Sequence, residues 1–176
     1  GLLDVCLVIG PEHDEVRRYY TETVVPTRLR ISFAIQVRPL GTADAVTAAA
    51  PIVGREDFLV LNSDNYYPVD AFRALAGMHG AGLVAFERDA MVRKSNVEAD
   101  RVRQFAVVRI APDDTMVEVI EKPDEVTLAS LGDDVFLSMN CWRFTAAVLD
   151  ACRRVAPSAR GELEIPDAVR LAQRDA

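Results

Sequence analysis

The sequence is organised around Phe58-Leu59-Val60-Leu61-Asn62-Ser63-Asp64-Asn65-Tyr66-Tyr67, a stretch that turns from apolar to polar after Leu61. Residues 58–61 do not alternate with polar ones, which is typical of a strand buried on both faces of a sheet. Residues 62–65 are small and polar, so they can turn the chain but cannot continue a core strand. A helix is predicted next, from Ala71 to Met78, with Asp70 at its start.

Asp64 has two interpretations at this place in the sequence. In open α/β sheets, ligands bind beyond the carboxyl ends of the strands. A carboxylate there can hold a divalent cation, and the cation can hold phosphates. In the other interpretation, Asp64 and Asn65 are only turn and cap residues. Position alone leaves both interpretations open.

Length and charge limit the classes to which the protein can belong. A chain of 176 residues is long enough for one domain with a substantial core. Half of its residues are hydrophobic and 27% are charged, as in globular proteins. The net charge of -7 argues against a nucleic acid or an anionic membrane as the main partner. A phosphate ligand stays open, because a local lysine, a metal ion or backbone amides can bind one.

The three cysteines, Cys6, Cys141 and Cys152, are odd in number and form no CxxC pair. They are predicted to be reduced thiols, mostly buried in apolar surroundings. The sequence contains no apolar run of 18 residues and no signal-peptide pattern. We therefore expect a cytoplasmic protein.

Apolar runs and turn signals divide the chain into alternating strands and helices. Strands are predicted at residues 2–10, 31–36, 58–61, 82–87, 105–110, 116–121 and 135–143. Helices are predicted from 16 to between 20 and 23, from 42 to about 50, and at 71–78, 145–155 and 165–173. The charged segment 89–100 has no clear period and is predicted to be a loop.

This alternation predicts one α/β domain over residues 1–176, since strands that alternate with helices are typical of βαβ units. The expected architecture is a Rossmann-like three-layer sandwich with a mixed, mostly parallel sheet. The pair of strands at 105–110 and 116–121 is expected to form a hairpin within it, joined across Pro112-Asp113-Asp114.

Motifs spread along the chain resemble those of one enzyme family. The motifs are Gln36 with Pro39-Leu40-Gly41-Thr42-Ala43-Asp44-Ala45-Val46, Leu61-Asn62-Ser63-Asp64-Asn65, Glu121-Lys122-Pro123, Asn140, and Arg160-Gly161-Glu162-Leu163-Glu164-Ile165. Each is weak alone, but together, in this order and spacing, they resemble the sugar-1-phosphate nucleotidyltransferases, or nucleoside-diphosphate-sugar pyrophosphorylases. The resemblance runs from Asp4 to about Ala168.

The resemblance implies a reaction in which an NTP and a sugar 1-phosphate give an NDP-sugar and pyrophosphate, with Mg²⁺ neutralising the phosphates. It also implies roles for individual residues. Asp64 would bind the metal and act with Lys122 in catalysis. The nucleotide-binding residues would be Gln36, Gly41 and Thr42, and the sugar-binding residues would be Glu121, Asn140 and Ala106.

Several of these residues have a structural interpretation as well. Gln36 can be a hydrogen-bonded amide at a strand end, and Gly41 can be a plain turn glycine that Thr42 follows as a helix cap. Glu121 and Lys122 can form a solvated turn with an ion pair. Two further features are expected to be structural from the start: Trp142 as a core residue, and the segment 160–165, in which Glu162 caps or pairs.

The sequence departs from the family pattern at three places. Ser63 stands where the family usually has glycine before the metal aspartate, and Ala106 stands near another usual glycine, where its methyl group could press on the sugar. The family's Gly-rich phosphate loop would precede residue 1, and its second metal aspartate would follow Ala176. We therefore expect the chain to be an internal piece of a longer protein.

Two other function classes remain to be weighed against the enzyme. A non-catalytic relative that binds a sugar nucleotide or has a regulatory role is compatible with the changes at Ser63 and Ala106. A metal-dependent glycosyltransferase would want a D-x-D pair, whereas Asn65 and Tyr66 follow Asp64. The base and the sugar stay unspecified: Gln36 suits uracil or thymine, but the GTADAV stretch also suits adenylyl-transferring relatives. A homo-oligomer stays open.

Overall fold

The computed structural model describes residues 2–98, 101, 104–131 and 136–175. The chain divides into two compact units, Gly1–Asp57 with Ala146–Ala176 (unit 1) and Phe58–Thr145 (unit 2). Each unit is described by itself, and the single domain expected from the sequence stays a prediction.

The secondary-structure elements alternate as the α/β prediction requires. In chain order they are β1 (Asp4–Ile9), α1 (Asp14–Arg18) with a π-helical turn (Tyr19–Thr23), β2 (Arg30–Ile35), α2 (Thr42–Ala48), α3 (Ala50–Val53), β3 (Phe58–Leu61), α4 (Val69–Gly77), β4 (Gly82–Glu87), α5 (Arg88–Lys94), β5 (Ala106–Ile110), β6 (Met116–Ile120), α6 (Glu125–Ser130), β7 (Phe136–Phe144), α7 (Val148–Arg154) and α8 (Ile165–Asp175).

Unit 1 combines a pair of strands with packed helices. β1 and β2 are parallel and pair in register from Asp4 opposite Arg30 to Ile9 opposite Ile35. Helices α2, α7 and α8 pack together. Their contact faces bury small and branched apolar side chains, including Ala43, Val46, Leu149, Cys152, Ala168 and Val169.

Unit 2 is a sheet built around β7. One edge of β7 pairs with β4, and the other pairs with β3 at residues 141–144 and with β5 at residues 136–138. β6 pairs with β5 as the predicted hairpin. Every one of these pairings is antiparallel, so the expectation of a mostly parallel sheet is wrong for unit 2, although β1 and β2 in unit 1 are parallel. The reason is that β7 lies between β3 and β4, the two strands that α4 connects.

The strand at 58–61 was expected to be buried, but most residues of β3 are only half-buried, as are most residues of β1. Within the described ranges, β1 pairs with β2 alone and β3 pairs with β7 alone. An apolar run predicts a strand well, but it does not tell how many neighbours that strand has.

Besides the short α3, which follows the predicted end of a helix at about residue 50, two helices were missed by the sequence interpretation. α5 begins at Arg88 and otherwise lies in the segment 89–100 that was predicted to be a loop. One helical turn apart, the Arg93 guanidinium lies 3.8 Å from the Asp89 carboxylate, and Met91 packs against Val107 and Leu137. α6 begins after Asp124, whose carboxylate accepts a hydrogen bond from the Thr127 amide at 2.7 Å. Both helices are short and anchored by few apolar side chains, so hydrophobic periodicity does not reveal them.

Parts of two sequence predictions lie outside the described residues, at 99–100 and 132–135. No helix within the described ranges has the length and apolarity needed to cross a membrane.

Candidate functional site

Gln36 follows β2 directly, and its side-chain amide has a fixed orientation. Its Nε2 donates to the Gly41 carbonyl at 3.0 Å and to Asp44 Oδ2 at 2.8 Å. A carbonyl and an ionised carboxylate can only accept hydrogen bonds, so the NH₂ group must face these two partners. The Gln36 Oε1 then points away from them, and it accepts no hydrogen bond within the described part of the chain. Gln36 therefore presents an acceptor.

Gly41 is held against the backbone of Leu163. Its φ is +122°, and a Cβ at this position would lie 2.5 Å from the Leu163 carbonyl oxygen and 2.7 Å from the Leu163 nitrogen. The Ala43 amide donates to Leu163 O at 2.8 Å, and the Leu163 amide donates to Leu40 O at 2.7 Å. Glycine is thus required here by chain packing, whether or not a nucleotide also approaches it.

Thr42 does not cap α2, so that expectation is wrong. Gly41 occupies the cap position without a side-chain hydrogen bond, and Thr42 is the first residue of the helix. Its Oγ1 instead accepts a hydrogen bond from the Ile165 amide at 3.0 Å. Amides in the first turn of a helix have no partner inside the helix, so Thr42 satisfies the start of α8.

The segment before α8 is structural, as the sequence indicated. Arg160 pairs with the buried carboxylate of Glu164 and lies 3.5 Å from Glu162. A buried charge is costly unless it is paired. The pairing therefore holds in place the segment that contains Leu163, against which Gly41 packs.

In unit 2, Asp64 lies in the turn that follows β3, and its side chain is exposed. No hydrogen bond or ion pair is recorded for its carboxylate among the described residues. Those residues also contain no cluster of three or more His, Cys, Asp or Glu side chains that could hold a metal ion. With respect to the described residues, Asp64 is therefore a single unpaired carboxylate, compatible with a cation whose other ligands come from phosphates and water.

Tyr67 ties the Asp64 turn to β7, and the sequence interpretation missed it. The ring is buried, and the hydroxyl donates to Met139 O at 2.6 Å while accepting from the Asn62 amide at 3.2 Å and from Asn65 Nδ2 at 3.1 Å. Burial raises the pKa of Tyr67, and the hydrogen bond from Asn65 opposes that rise. A signal was available: a buried tyrosine hydroxyl needs a partner, and this one follows a run of polar turn residues.

Asn140 lies at a bulge in β7. Leu83 pairs with Trp142 and Ala85 with Ser138, so β7 uses four residue steps where β4 uses two. Asn140 has a φ of +54°, a left-handed conformation that asparagine tolerates better than most residues. Bulges of this kind redirect side chains and occur often beside active sites.

The Asn140 amide also has a fixed orientation. Its Oδ1 accepts a hydrogen bond from Trp142 Nε1 at 3.1 Å. An indole N–H can only donate, so the oxygen must face Trp142 and the Nδ2 hydrogens must point elsewhere. No hydrogen bond from Nδ2 is recorded in the described part of unit 2. Asn140 therefore presents donors.

Trp142 and Ala106 both lie in the packed interior of unit 2. Trp142 is 1% exposed and stacks on Phe144 with ring centroids 5.5 Å apart, which confirms its prediction as a core residue. Ala106 is buried and pairs in register with Ser138. The Ser138 Oγ accepts a hydrogen bond from the backbone N–H of Asn140 at 3.4 Å. Ala106 thus lies opposite Ser138, the residue two positions before Asn140 on β7.

Glu121 and Lys122 follow the end of β6 at Ile120. Lys122 is exposed with a φ of +42°, Glu121 is half-buried, and Pro123 is buried. Pro123 lacks the N–H that a further pairing would need, so the strand ends before it as predicted. No described hydrogen bond joins Lys122 to Asp64 or to Asn140.

The cysteines are free thiols, two of which are buried. Burial raises the pKa of Cys141 and of Cys152 to about 11, and Cys6 is half-buried with a raised pKa of the same cause. At neutral pH all three are protonated groups that pack, as the sequence predicted for most of them.

Comparisons with known proteins agree with the motif pattern. The nucleotidyl transferase family model matches residues 1–176. The low-salt glycan biosynthesis nucleotidyltransferase of Haloferax volcanii is 32% identical over 99% of this chain, which covers 45% of that relative. The glucose-1-phosphate thymidylyltransferase of Streptomyces antibioticus is 31% identical over 96% of this chain, which covers 44% of that relative. The chain thus spans less than half the length of these two curated relatives.

Solved structures show the same fold. The structure of a UDP-glucose pyrophosphorylase complexed with UDP-glucose superposes with a TM-score of 0.73 at 15% identity, over 98% of this chain and 70% of the other. This likeness agrees with the Rossmann-like α/β class expected from the sequence. The chain belongs to the nucleotidyl transferase family.

Proposed function

We propose that the protein transfers a nucleotidyl group from an NTP to a sugar 1-phosphate, giving an NDP-sugar and pyrophosphate. The observation that carries the proposal is the family match over residues 1–176, in a chain where Gln36, the Asp64 turn and Glu121 follow strand ends and Asn140 lies at a bulge. The sugar-phosphate oxygen would attack the α-phosphorus in line, and the bond to pyrophosphate would break.

Gln36 supports a role in base selection because its amide presents an acceptor. The Gly41 amide has no recorded partner among the described residues and offers a donor five residues later in the same turn. Uracil and thymine carry an N3–H beside carbonyl oxygens, so they match this acceptor and donor. We assign nucleotide binding to Gln36 and Gly41, with Thr42 supporting the turn.

Asn140 supports a role in sugar binding because it presents two N–H donors, which hydroxyl oxygens can accept. Glu121 would accept hydrogen bonds from sugar hydroxyls, and Lys122 would carry positive charge to the sugar phosphate. Ala106 would limit the space beside the sugar. Little covalent chemistry falls to the protein, so positioning and charge stabilisation account for most of the rate.

Members of this family generally use a divalent metal ion. Asp64 fits such an ion as one hard oxygen ligand, provided that substrate phosphates complete the shell, and Mg²⁺ binds in this way through one or two carboxylates. We propose Mg²⁺, which would neutralise phosphate charge when bound. A cytoplasmic location and a homo-oligomeric state stay predictions.

A second candidate is a relative that binds a sugar nucleotide without turning it over. It is favoured by Ser63 beside Asp64 and by the buried methyl group of Ala106, the two places where glycine is expected. One experiment separates the candidates: the full-length protein is incubated with each NTP and a panel of sugar 1-phosphates, and pyrophosphate and NDP-sugar are measured. Release that needs both substrates supports the enzyme, whereas sugar-nucleotide binding without release supports the second candidate.

A further inference from the structure

The hydroxyl of Tyr67 is fully used in hydrogen bonds. A phenol oxygen carries one hydrogen and two lone pairs. The hydrogen goes to Met139 O at 2.6 Å, since the alternative acceptor, Asn140 O, is 3.4 Å away. The two lone pairs accept from the Asn62 amide and from Asn65 Nδ2. One atom therefore fixes three groups in space.

The three groups flank the residues that this protein is proposed to use. Asn62 and Asn65 lie on either side of the Ser63-Asp64 turn, and the Met139 carbonyl belongs to the peptide that leads into Asn140. Asn65 Nδ2 also donates to Met139 O at 3.2 Å, which closes a small ring of hydrogen bonds. The spacing between the Asp64 turn and the Asn140 bulge is thus set at Tyr67.

We propose that Tyr67 is a positioning residue, which holds the Asp64 carboxylate and the Asn140 amide in one fixed relation through its hydroxyl. This inference rests on the proposed function, because it takes Asp64 as the cation ligand and Asn140 as a sugar contact. It goes beyond that function in assigning one hydroxyl to both roles. The cation requirement and the sugar-phosphate KM are therefore coupled.

The ring and the hydroxyl of Tyr67 have separable roles. The ring packs with Ala71, Leu75 and Cys141 and meets Phe72 edge-on at 6.1 Å. The substitution Tyr67→Phe keeps this packing and removes only the hydroxyl. The adjacent Tyr66 is 96% exposed and has no recorded hydrogen bond among the described residues, so Tyr66→Phe is a matched control.

In the full-length protein, Tyr67→Phe is expected to raise the KM for sugar 1-phosphate and the Mg²⁺ concentration for half-maximal rate together, each about tenfold, because two donors lose their acceptor and the turn is released. With Mg²⁺ held at the same multiple of each variant's half-maximal concentration, the KM for NTP is expected to stay unchanged, since none of the hydroxyl's partners is Gln36 or Gly41. A residue that only stabilises the fold would lower the melting temperature without this split. Equal changes in all three constants, or none, would overturn the proposal.

A second measurement does not depend on turnover. In ¹⁵N spectra recorded with a saturating NTP, whose phosphates complete the shell of the cation, the wild-type signals of Asn62 and Asn65 are expected to broaden at low Mn²⁺, and those of Tyr67→Phe only at about tenfold higher Mn²⁺ concentration. The Asn62 amide should also exchange with deuterium faster in Tyr67→Phe than in Tyr66→Phe. Identical Mn²⁺ titrations and exchange rates would refute the role of Tyr67. A wild-type protein that shows the Mn²⁺ effect but forms no NDP-sugar would instead contradict the proposed function alone.

Discussion

Gln36 in unit 1 and Asn140 in unit 2 are both amides with a fixed orientation, yet they present opposite chemistry. The partners of Gln36, the Gly41 carbonyl and the Asp44 carboxylate, only accept, so Gln36 presents its oxygen. The partner of Asn140, the Trp142 indole, only donates, so Asn140 presents its NH₂ group. An amide is ambiguous by itself, and one-way partners decide what it offers to a ligand.

The backbone beneath the two amides differs as well. Gln36 follows a regular strand, and its own amide donates to Ile9 O at 2.9 Å, which extends the pairing of β1 with β2. Asn140 lies in a bulge with positive φ, a conformation that costs about 1–2 kcal/mol for most residues. Unit 1 thus orients its amide at little conformational cost, whereas unit 2 needs the hydrogen bonds at Met139 to hold the bulge.

The largest expected effect comes from removing the charge of Asp64, the proposed metal ligand, which lies in unit 2 and has no counterpart beside Gln36 in the proposal. Asp64→Asn should lower kcat of the full-length protein by about a hundredfold or more, since a group that stabilises phosphate charge is lost. Asp70→Asn is the control: Asp70 is exposed and pairs with Arg73 at the surface, where an ion pair contributes little. Equal turnover of the two variants would remove Asp64 from the mechanism.

The next largest effect concerns Gly41, which packs against the Leu163 backbone and whose carbonyl holds the Gln36 side chain. Gly41→Ala should lower the free energy of unfolding by about 3 kcal/mol, because positive φ and contact with the Leu163 backbone both oppose a methyl group. Gly54 also has positive φ, +63°, but a Cβ added there would meet no described atom within 4 Å, so Gly54→Ala should cost only about 1 kcal/mol. Urea denaturation of both variants measures the difference, and equal losses would mean that Leu163 does not confine Gly41.

The fixed orientation of the Gln36 side-chain amide can be removed by a substitution at its partner Asp44, with Gln36 itself unchanged. Asp44→Asn supplies a side chain that can donate as well as accept, so the Gln36 amide can turn over and offer either face. The ratio of kcat/KM for UTP to that for ATP should fall about tenfold, the effect of about 1.4 kcal/mol in hydrogen bonding. Glu56→Gln, a neutralised exposed acid of the same unit, is the control. If the UTP-to-ATP ratio of Asp44→Asn equals that of Glu56→Gln, Asp44 does not orient Gln36.

The smallest effect separates the Asn140 amide from its backbone. Both Asn140→Gly and Asn140→Ala leave the buried Trp142 indole N–H without its acceptor, a loss of about 1–3 kcal/mol. Glycine accepts positive φ freely, so Asn140→Ala should lose about 1 kcal/mol more stability than Asn140→Gly. Both variants lack the amide, so both should raise the KM for sugar 1-phosphate severalfold. Thermal unfolding and steady-state kinetics measured side by side test this. A normal KM in Asn140→Gly would leave the amide without a role in sugar binding.

The sequence predicted the elements better than their arrangement. β4 was predicted at 82–87 and β3 at 58–61, as observed, because short apolar runs bounded by turn residues define strands. The position of β7 between β3 and β4 could not be predicted, because no local pattern states which strands become neighbours. The antiparallel pairing of unit 2 follows from that position.

The candidate residues were predictable in identity but not in orientation. Gln36 and Asn140 stand out by resemblance, yet only coordinates show that Asp44 and Trp142 orient them. Tyr67 escaped because its partners include Met139, 72 positions away in the chain, and a hydrogen bond to a carbonyl leaves no mark in side-chain chemistry. Thr42 was assigned to the wrong helix for the same reason, since its partner Ile165 is 123 positions away.

The hydrogen bond from the Ile165 amide to Thr42 also affects the order in which the two units can fold during synthesis, because it joins distant parts of unit 1. Unit 2 is one continuous segment, 58–145, so all of its strands are available once β7 has left the ribosome. Unit 1 is interrupted, and its α2 must wait for α8 before the Leu163 and Ile165 contacts can form. Contacts across so long a stretch are slow to close. Unit 2 is therefore expected to fold first, with Gly41 and Gln36 among the last residues to reach their native geometry.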